Sequence, residues 1–410
     1  MSNELKTKNF VVEKLPGLAG TVPPPPAENF SIKTLLRQDL GFLPVLVTLL
    51  IIVVFFQIST NGIFLDPRNI SNLLQQVVSV GIIGIAAVLV LLLGEIDLSL
   101  AAVSQTCGAI TAVLSVYQEW NGWAAILVGL VAGAAIGLVN GFFIAVLRVP
   151  SFIVTLAGSI FYAGILLLVL GRQTTLTVRD PILRDLAPNY MDNLFGWLVP
   201  LVGIGLYIAF VLLEQRRRAA IGLKTKTPLR LGIQFSLTVI VPVAVIWLLQ
   251  SYNGVPIAGL IWVGLVVTFW ILLTRTTYGR HLYAVGGNSE AARRAGINTT
   301  LMKLSIFALA STLAAFAGIM LLSRSTAAAS QIDSTLLLRA IAAAVIGGVS
   351  LFGGRGSIWA VVLGALVIGS LENGLTLQDQ EQSIKNVIEG VVLILAVTAD
   401  ALARRSSNRR

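Results

Sequence analysis

The chain has 410 residues, 56% of them hydrophobic and only 12% charged, with a formal net charge of +10. A soluble domain carries about 25% charged residues, so a water-facing surface over this length is excluded. Cys107 and His281 are each the only residue of their kind, which excludes an internal disulfide and a clustered His/Cys metal site and leaves no metal centre or cofactor to expect.

In chain order, residues 1–39 are polar and contain a proline run at 23–26. No apolar core follows the start, so a cytosolic tail with a stiff proline linker is expected rather than a cleaved leader. A spanning helix needs about 20 mostly apolar residues. Stretches of that kind lie at about 40–57, 74–93, 98–116, 123–147, 152–170, 197–213, 231–249, 257–273, 301–322, 336–351, 358–371 and 387–403. The reading is an all-α polytopic membrane protein with about 12 transmembrane helices between residues 40 and 403. The tenth and eleventh stretches are short and interrupted by glycine, as broken or re-entrant elements would be. A basic tail, 404–410, closes the chain.

The basic residues sort by side. With the N-terminus inside, the inside set is Lys6, Lys8, Lys14, Lys33, Arg37, Arg148, the 216–230 cluster, Arg275, Arg280, Arg293, Arg294, Lys303, Arg355 and the C-terminal arginines. The outside set is Arg68, Arg172, Arg179, Arg184, Arg324 and Lys385. This bias predicts that both termini of a multi-pass inner-membrane protein are cytosolic. It accounts for the positive charge without a nucleic-acid partner, for which aromatic interleaving or a docking motif would be needed. Two connections exceed a turn: one outside, 171–196, and one inside, 274–300.

Four motifs carry more information. Gly129, Gly133, Gly137 and Gly141 recur every fourth residue, lining one helix face for close approach of another backbone. Packing within the subunit, a dimer seam and a translocation path all fit. Gly94-Glu95-Ile96-Asp97-Leu98-Ser99 puts two carboxylates at the membrane edge, where ionisable groups pair or line a wet path. Asp97 and Ser99 also suit the cap of the next helix, so capping and pathway gating both stand.

In the inside connection, Asn288 or Ser289 can start a short helix bearing Glu290, Ala291 and Arg293, and Gly296 can stop it. That is the shape of a docking element. Gly286-Gly287 lacks the preceding strand and the Gly-Lys-Ser/Thr ending of a phosphate loop. The run from Gly347 and Gly348 through Ser350 to Gly356, and later Glu372-Asn373-Gly374, permits sharp turns or a helix break beside a path. Nothing resembles a catalytic constellation, so a transport subunit rather than an enzyme is expected.

These motifs in this order, with Val149-Pro150-Ser151-Phe152-Ile153-Val154-Thr155-Leu156-Ala157-Gly158, resemble the permease subunits of bacterial ABC importers for monosaccharides, the ribose/xylose/galactose group. Glu95, the 149–158 stretch and an extra pair of spans around 197–249 are most similar to the xylose type. The resemblance implies the ABC importer permease fold of the sugar type, import of D-xylose or a related pentose, and a homodimer in membrane lipid. It implies a cytosolic ATPase subunit that binds the ATP, and an extracytoplasmic sugar-binding protein. The loop from Gly286 to Gly296, with Gly287, Asn288, Glu290, Ala291 and Arg293, would couple to the ATPase. Glu95, Asp97, Ser99, Gly347, Gly348, Ser350 and Asn373 would serve as pathway or gating residues. The chain departs from the family at Leu337 and Arg339, where acids are usual, and Arg339 is expected to pair with Asp333 or Glu95. The alternative reading is an ion-coupled secondary sugar transporter.

Overall fold

The computed structural model describes residues 43–223 and 225–407. The tail expected over 1–39 lies outside these residues, as do Lys224 and the last three positions. The described chain is built mainly of helices, with a short strand in each of the connections 171–180 and 326–333. Each apolar stretch expected to span coincides with a helix: α1 (Leu43–Ser59), α2 (Pro67–Leu92), α3 (Leu100–Tyr117), α4 (Gly122–Ala145) and α5 (Ser151–Leu170) come first. After the short α6 (Pro181–Asp185) come α7 (Asn193–Ala220), α8 (Pro228–Gln250) and α9 (Ile257–Arg275). Two short helices follow, α10 (Thr277–Gly287) and α11 (Ser289–Arg294). The last four are α12 (Thr299–Ser325), α13 (Ser334–Ile346), α14 (Trp359–Leu377) and α15 (Gln382–Ser407).

Among the described residues, nine helices are long and apolar enough to cross a bilayer. The polytopic reading therefore holds, while a count of twelve does not follow from length and composition. α13 has 13 residues, a rise of about 20 Å against a hydrocarbon thickness of about 30 Å, so it stops short as its glycines suggested. α14, read as a broken element, is instead continuous over 19 residues. α15 runs past the boundary placed at 403 to Ser407.

The core forms around α2 and α12. Residues 77–92 of α2 are buried on every face, as an all-round apolar helix requires. Asp66 caps its start by accepting from the Arg68 N–H at 2.9 Å, and Pro67 takes the first helical position, where no N–H is needed. α12 packs along α2, α3 and α4.

The glycine stripe settles as packing within the subunit. Gly133 faces Ala315 and the Ser311 carbonyl, Gly137 the Phe307 carbonyl and Ala308, and Gly141 the Leu304 backbone, all on α12. Gly129 faces Thr111 and the Cys107 carbonyl of α3. A side chain at Gly137 would overlap backbone, so only glycine allows the two helices this approach.

The helices' ends gather into two groups. At one end, Gly94, α10 and the turn at 347–356 meet. At the other, strand β1 (Thr175–Thr177) pairs antiparallel with β2 (Ala327–Ala329), Thr175 opposite Ala329. The Tyr190 hydroxyl at this second end lies 3.2 Å from Ser71 Oγ and accepts from Gln75 Nε2 at 3.1 Å.

Candidate functional site

The site is the junction where three glycine-bearing connections touch. Gly94, at φ +83°, turns the chain out of α2, which any other residue would do under strain. Gly286, near the end of α10, has no room for a Cβ against the Leu92 carbonyl oxygen. That same oxygen accepts the Gly354 N–H at 2.9 Å. Gly353, at φ +84°, packs on Gly94 and on the Gly286 carbonyl. Three backbones in van der Waals contact, without intervening side chains, make a stiff joint.

The joint is braced on every side. Thr276 caps α10 by accepting from the Gly279 N–H at 3.2 Å. The Tyr283 hydroxyl donates to the Gly356 carbonyl at 2.9 Å. Within the 347–356 turn, the Ser350 N–H donates to the Arg355 carbonyl at 2.9 Å, and Ser350 Oγ accepts from the Phe352 N–H at 3.1 Å. Gly347 lies against the Ala360 backbone and Gly348 turns at φ +96°. Gly347, at an ordinary helical φ, thus serves close packing and Gly348 the turn, while Phe352 is 75% exposed.

α11 protrudes from this joint. Asn288 caps it by accepting from the Ala291 N–H at 2.9 Å, and Gly296 ends it at φ +86°, as the sequence pattern suggested. Gly286 and Gly287, expected in a loop, instead complete the last turn of α10. Tertiary contact with Leu92 overrides the low helix propensity of glycine there. Glu290 is exposed and bonded to Arg293 at 2.8 Å and to Arg294 at 3.1 Å, and these hydrogen bonds hold its carboxyl below the usual range.

The 94–99 segment lies beside the joint. The Glu95 carboxylate forms an ion pair with Lys303 of α12. Asp97 is buried; its Oδ1 accepts from the Ser99 N–H at 2.8 Å and hydroxyl at 2.6 Å, and Oδ2 meets no partner among the described residues. Burial pushes this carboxyl up, against the lowering effect of both Ser99 bonds. Ser99 stands at the cap position of α3, but its hydroxyl is turned to Asp97 rather than capping the helix. A polar chain continues inward: Asn140 Nδ2 donates to Ser99 Oγ at 3.2 Å, and the Tyr162 hydroxyl donates to Asn140 Oδ1 at 2.7 Å. Thr155 Oγ1 accepts from the Leu98 N–H at 3.0 Å.

Asn373 lies away from this junction, at the opposite end. Its Oδ1 accepts from Asn69 Nδ2 at 2.8 Å, and its Nδ2 donates to Asn69 Oδ1 at 3.1 Å. The pairing expected for Arg339 is corrected here. Arg339 reaches neither Asp333 nor Glu95 by hydrogen bond; it binds Glu372 at 2.8 Å and Glu389 at 2.9 Å, on α14 and α15. A lone guanidinium at this depth needs compensation, and these carboxylates supply it. Glu95 is already held by Lys303.

Sequence reasoning missed Lys303, Asn140, Glu389 and the Leu92 carbonyl. For the first two a signal existed: a lysine or asparagine inside an apolar run points to a polar partner. Among the described residues no group of three His, Cys, Asp or Glu side chains is placed to hold a metal.

Comparison with known proteins agrees with this architecture. Residues 69–397 match the family described as "Branched-chain amino acid transport system / permease component". The xylose transport system permease protein XylH of Escherichia coli is 36% identical over 356 residues, covering 87% of this chain and 90% of the relative. The ribose import permease protein RbsC of Bacillus subtilis is 32% identical over 340 residues, covering 83% and 87%. The fructose import permease protein FrcC of Rhizobium meliloti is 30% identical over 380 residues, covering 91% and 90%. No solved structure matches the chain. With a family match running from α2 into α15 and relatives aligned over most of their length, the chain belongs to this family of transport-system permease components.

Proposed function

We propose that the chain forms the translocation pathway of an ATP-driven importer for a monosaccharide, D-xylose or a related pentose. The importer comprises two copies of this permease, a separate cytosolic ATPase that binds the ATP, and an extracytoplasmic sugar-binding protein. Both termini and the α10–α11 end face the cytosol, in line with the distribution of basic residues.

The observation that carries this reading is the protruding α11, which follows directly on α10, while the end of α10 is joined backbone-to-backbone to the end of α2 and to the 347–356 turn. A helix capped at both ends and exposed on its charged face suits insertion into a groove of another subunit. Displacing it displaces α10, and α10 cannot slide on Leu92 without overlap at Gly286. The displacement therefore reaches α2, the helix at the centre of the bundle. Names of relatives support a sugar as cargo, with the xylose permease at 36% identity.

The test uses the complete complex in liposomes. Glu290→Arg, and separately replacement of 286–296 by a Gly/Ser segment, should abolish stimulation of ATP hydrolysis by loaded binding protein and sugar uptake together. Intact coupling in both variants refutes the coupling role. Concentrative uptake by this chain alone, without nucleotide or companion subunit, would favour the ion-coupled alternative.

A further inference from the structure

The α7–α8 hairpin differs from the rest of the bundle. In α7 only Gly196 and Val211 are buried, and in α8 only Ile246 and Leu249. Three of these four lie toward the ends of the helices remote from the hairpin tip, so the half nearer the tip is largely exposed and meets α9 around Phe210 and Glu214. Leu206, Leu212, Leu213, Ile233 and Leu237 are exposed there, on helices apolar enough to cross a bilayer.

The tip has a fixed level. Arg275, the last residue of α9, donates to Glu214 at 2.8 Å, and its guanidinium lies 4.6 Å from the Phe210 ring centroid. The tip of the hairpin therefore lies at the same end as α10, which begins two residues after Arg275. Arg218 takes the other oxygen of Glu214 at 2.8 Å. The one acid in the sequence of the tip, residues 214–230, is thus consumed, against six basic residues in the same stretch of sequence. Arg216 and Arg217 are exposed and meet no acidic partner among the described residues. They follow Leu213 by about one helical turn, roughly 5 Å, which is where a helix leaves hydrocarbon for the headgroup layer. Ile221 and Leu223, at 71% and 55% exposure, flank them. The tip itself is braced: Gln215 Oε1 accepts from the Lys226 N–H at 2.9 Å, and Lys226 Nζ donates to Gln234 at 2.8 Å.

We infer that this basic hairpin tip is a binding site for anionic phospholipid headgroups. Apolar side chains at the rim enter the acyl boundary, and unpaired guanidiniums of fixed level face the phosphates, to which arginine donates bidentately. The inference rests on membrane embedding and is independent of the transported sugar.

The experiment measures lipids retained by the full chain, purified from nanodiscs of phosphatidylglycerol and phosphatidylcholine and weighed by native mass spectrometry. The protein should retain phosphatidylglycerol preferentially. Each basic residue near an anionic surface contributes about fivefold, so Arg216→Gln with Arg217→Gln should lower that preference about twenty- to thirtyfold. The Arg216→Lys, Arg217→Lys pair should keep most of it. Arg172→Gln with Arg179→Gln, which removes the same charge at the opposite end, should leave it unchanged. Equal retention in the glutamine variant and the parent overturns the proposal, as does an equal loss in the control pair. Unchanged lipid retention with loss of a co-purifying ATPase subunit overturns it too, since the tip would then be a protein contact. Should the glutamine variant fail to fold, the lysine pair still decides: lost preference there, in a folded protein, refutes a charge-based site.

Discussion

Arg339 Nη1 lies 2.8 Å from Glu372 Oε1, linking α13 to α14 inside the bundle. The same guanidinium holds Glu389 of α15, whose second oxygen has no partner among the described residues. Arg339 is 10% exposed, Glu389 11% and Glu372 28%, so the cluster is largely shielded from screening.

Removing the cation should therefore cost more than a surface pair would. Arg339→Met strands two carboxylates and should destabilise the protein by about 3–5 kcal/mol. Adding Glu372→Gln and Glu389→Gln should recover most of the loss, because no uncompensated charge is left. Chemical unfolding of the detergent-solubilised protein measures both; a mild single mutant would show the cluster to be hydrated.

The Glu95–Lys303 pair ties the 94–99 segment to α12 across 208 positions of sequence. Glu95→Gln and Lys303→Met should each destabilise, and the double mutant should show a coupling on the order of 1 kcal/mol. Additive single effects in that cycle would mean the pair contributes nothing as a pair.

Gly286 and Gly287 offer a matched comparison. A Cβ at Gly286 collides with the Leu92 carbonyl, whereas a Cβ at Gly287 meets nothing within 4 Å. Gly286→Ala should cost about 1–3 kcal/mol by overpacking. Gly287→Ala should stabilise α10 by up to about 1 kcal/mol through helix propensity. Thermal unfolding of the two variants in parallel separates them; similar behaviour would remove the backbone contact from the account.

α11 should respond to acid. The Glu290 carboxyl is depressed by hydrogen bonds from Arg293 and then Arg294. A carboxylate lowered in the folded state contributes stability above its unfolded value, about 4.3, and loses it as pH falls through the folded value. Amide exchange of 289–295 should therefore quicken selectively as pH drops below about 4, after correction for intrinsic rates. Uniform behaviour between pH 7 and pH 3 would show those ion pairs to be idle. Asn288→Ala should raise exchange in the same segment at neutral pH, since a lost cap costs about 1 kcal/mol.

Much of the fold was legible because its signals are local. Apolar runs, the Asn288 and Gly296 caps and the four-residue glycine spacing each depend on residues within a few turns of one another. α6 had such a signal, Asp180 before Pro181, and could have been found: Asp180 Oδ1 accepts from the Ile182 N–H at 2.9 Å. The candidate site was half legible. Asp97, Glu290 and Gly286 could be picked out by type, but their partners could not. Asn69 meets Asn373 across 304 positions, and Arg339 meets Glu389 across 50, which no periodicity encodes. The end of α13 was legible in part: Gly347 and Gly348 signal the break, but the apolar Val349 and Leu351 carry the expected stretch to 351 while the backbone leaves the helix at Gly347.

The small ribbon of 175–177 and 327–329 has a mechanical corollary. One strand belongs to the connection after α5 and the other to the connection after α12, so a ladder of main-chain bonds staples two distant stretches of the polypeptide across this rim. Such a rim does not open by one segment lifting like a flap, because every ladder bond would have to break. In the proposed importer, opening on that side would move the two connections together, with the staple carried along as a fixed doorframe.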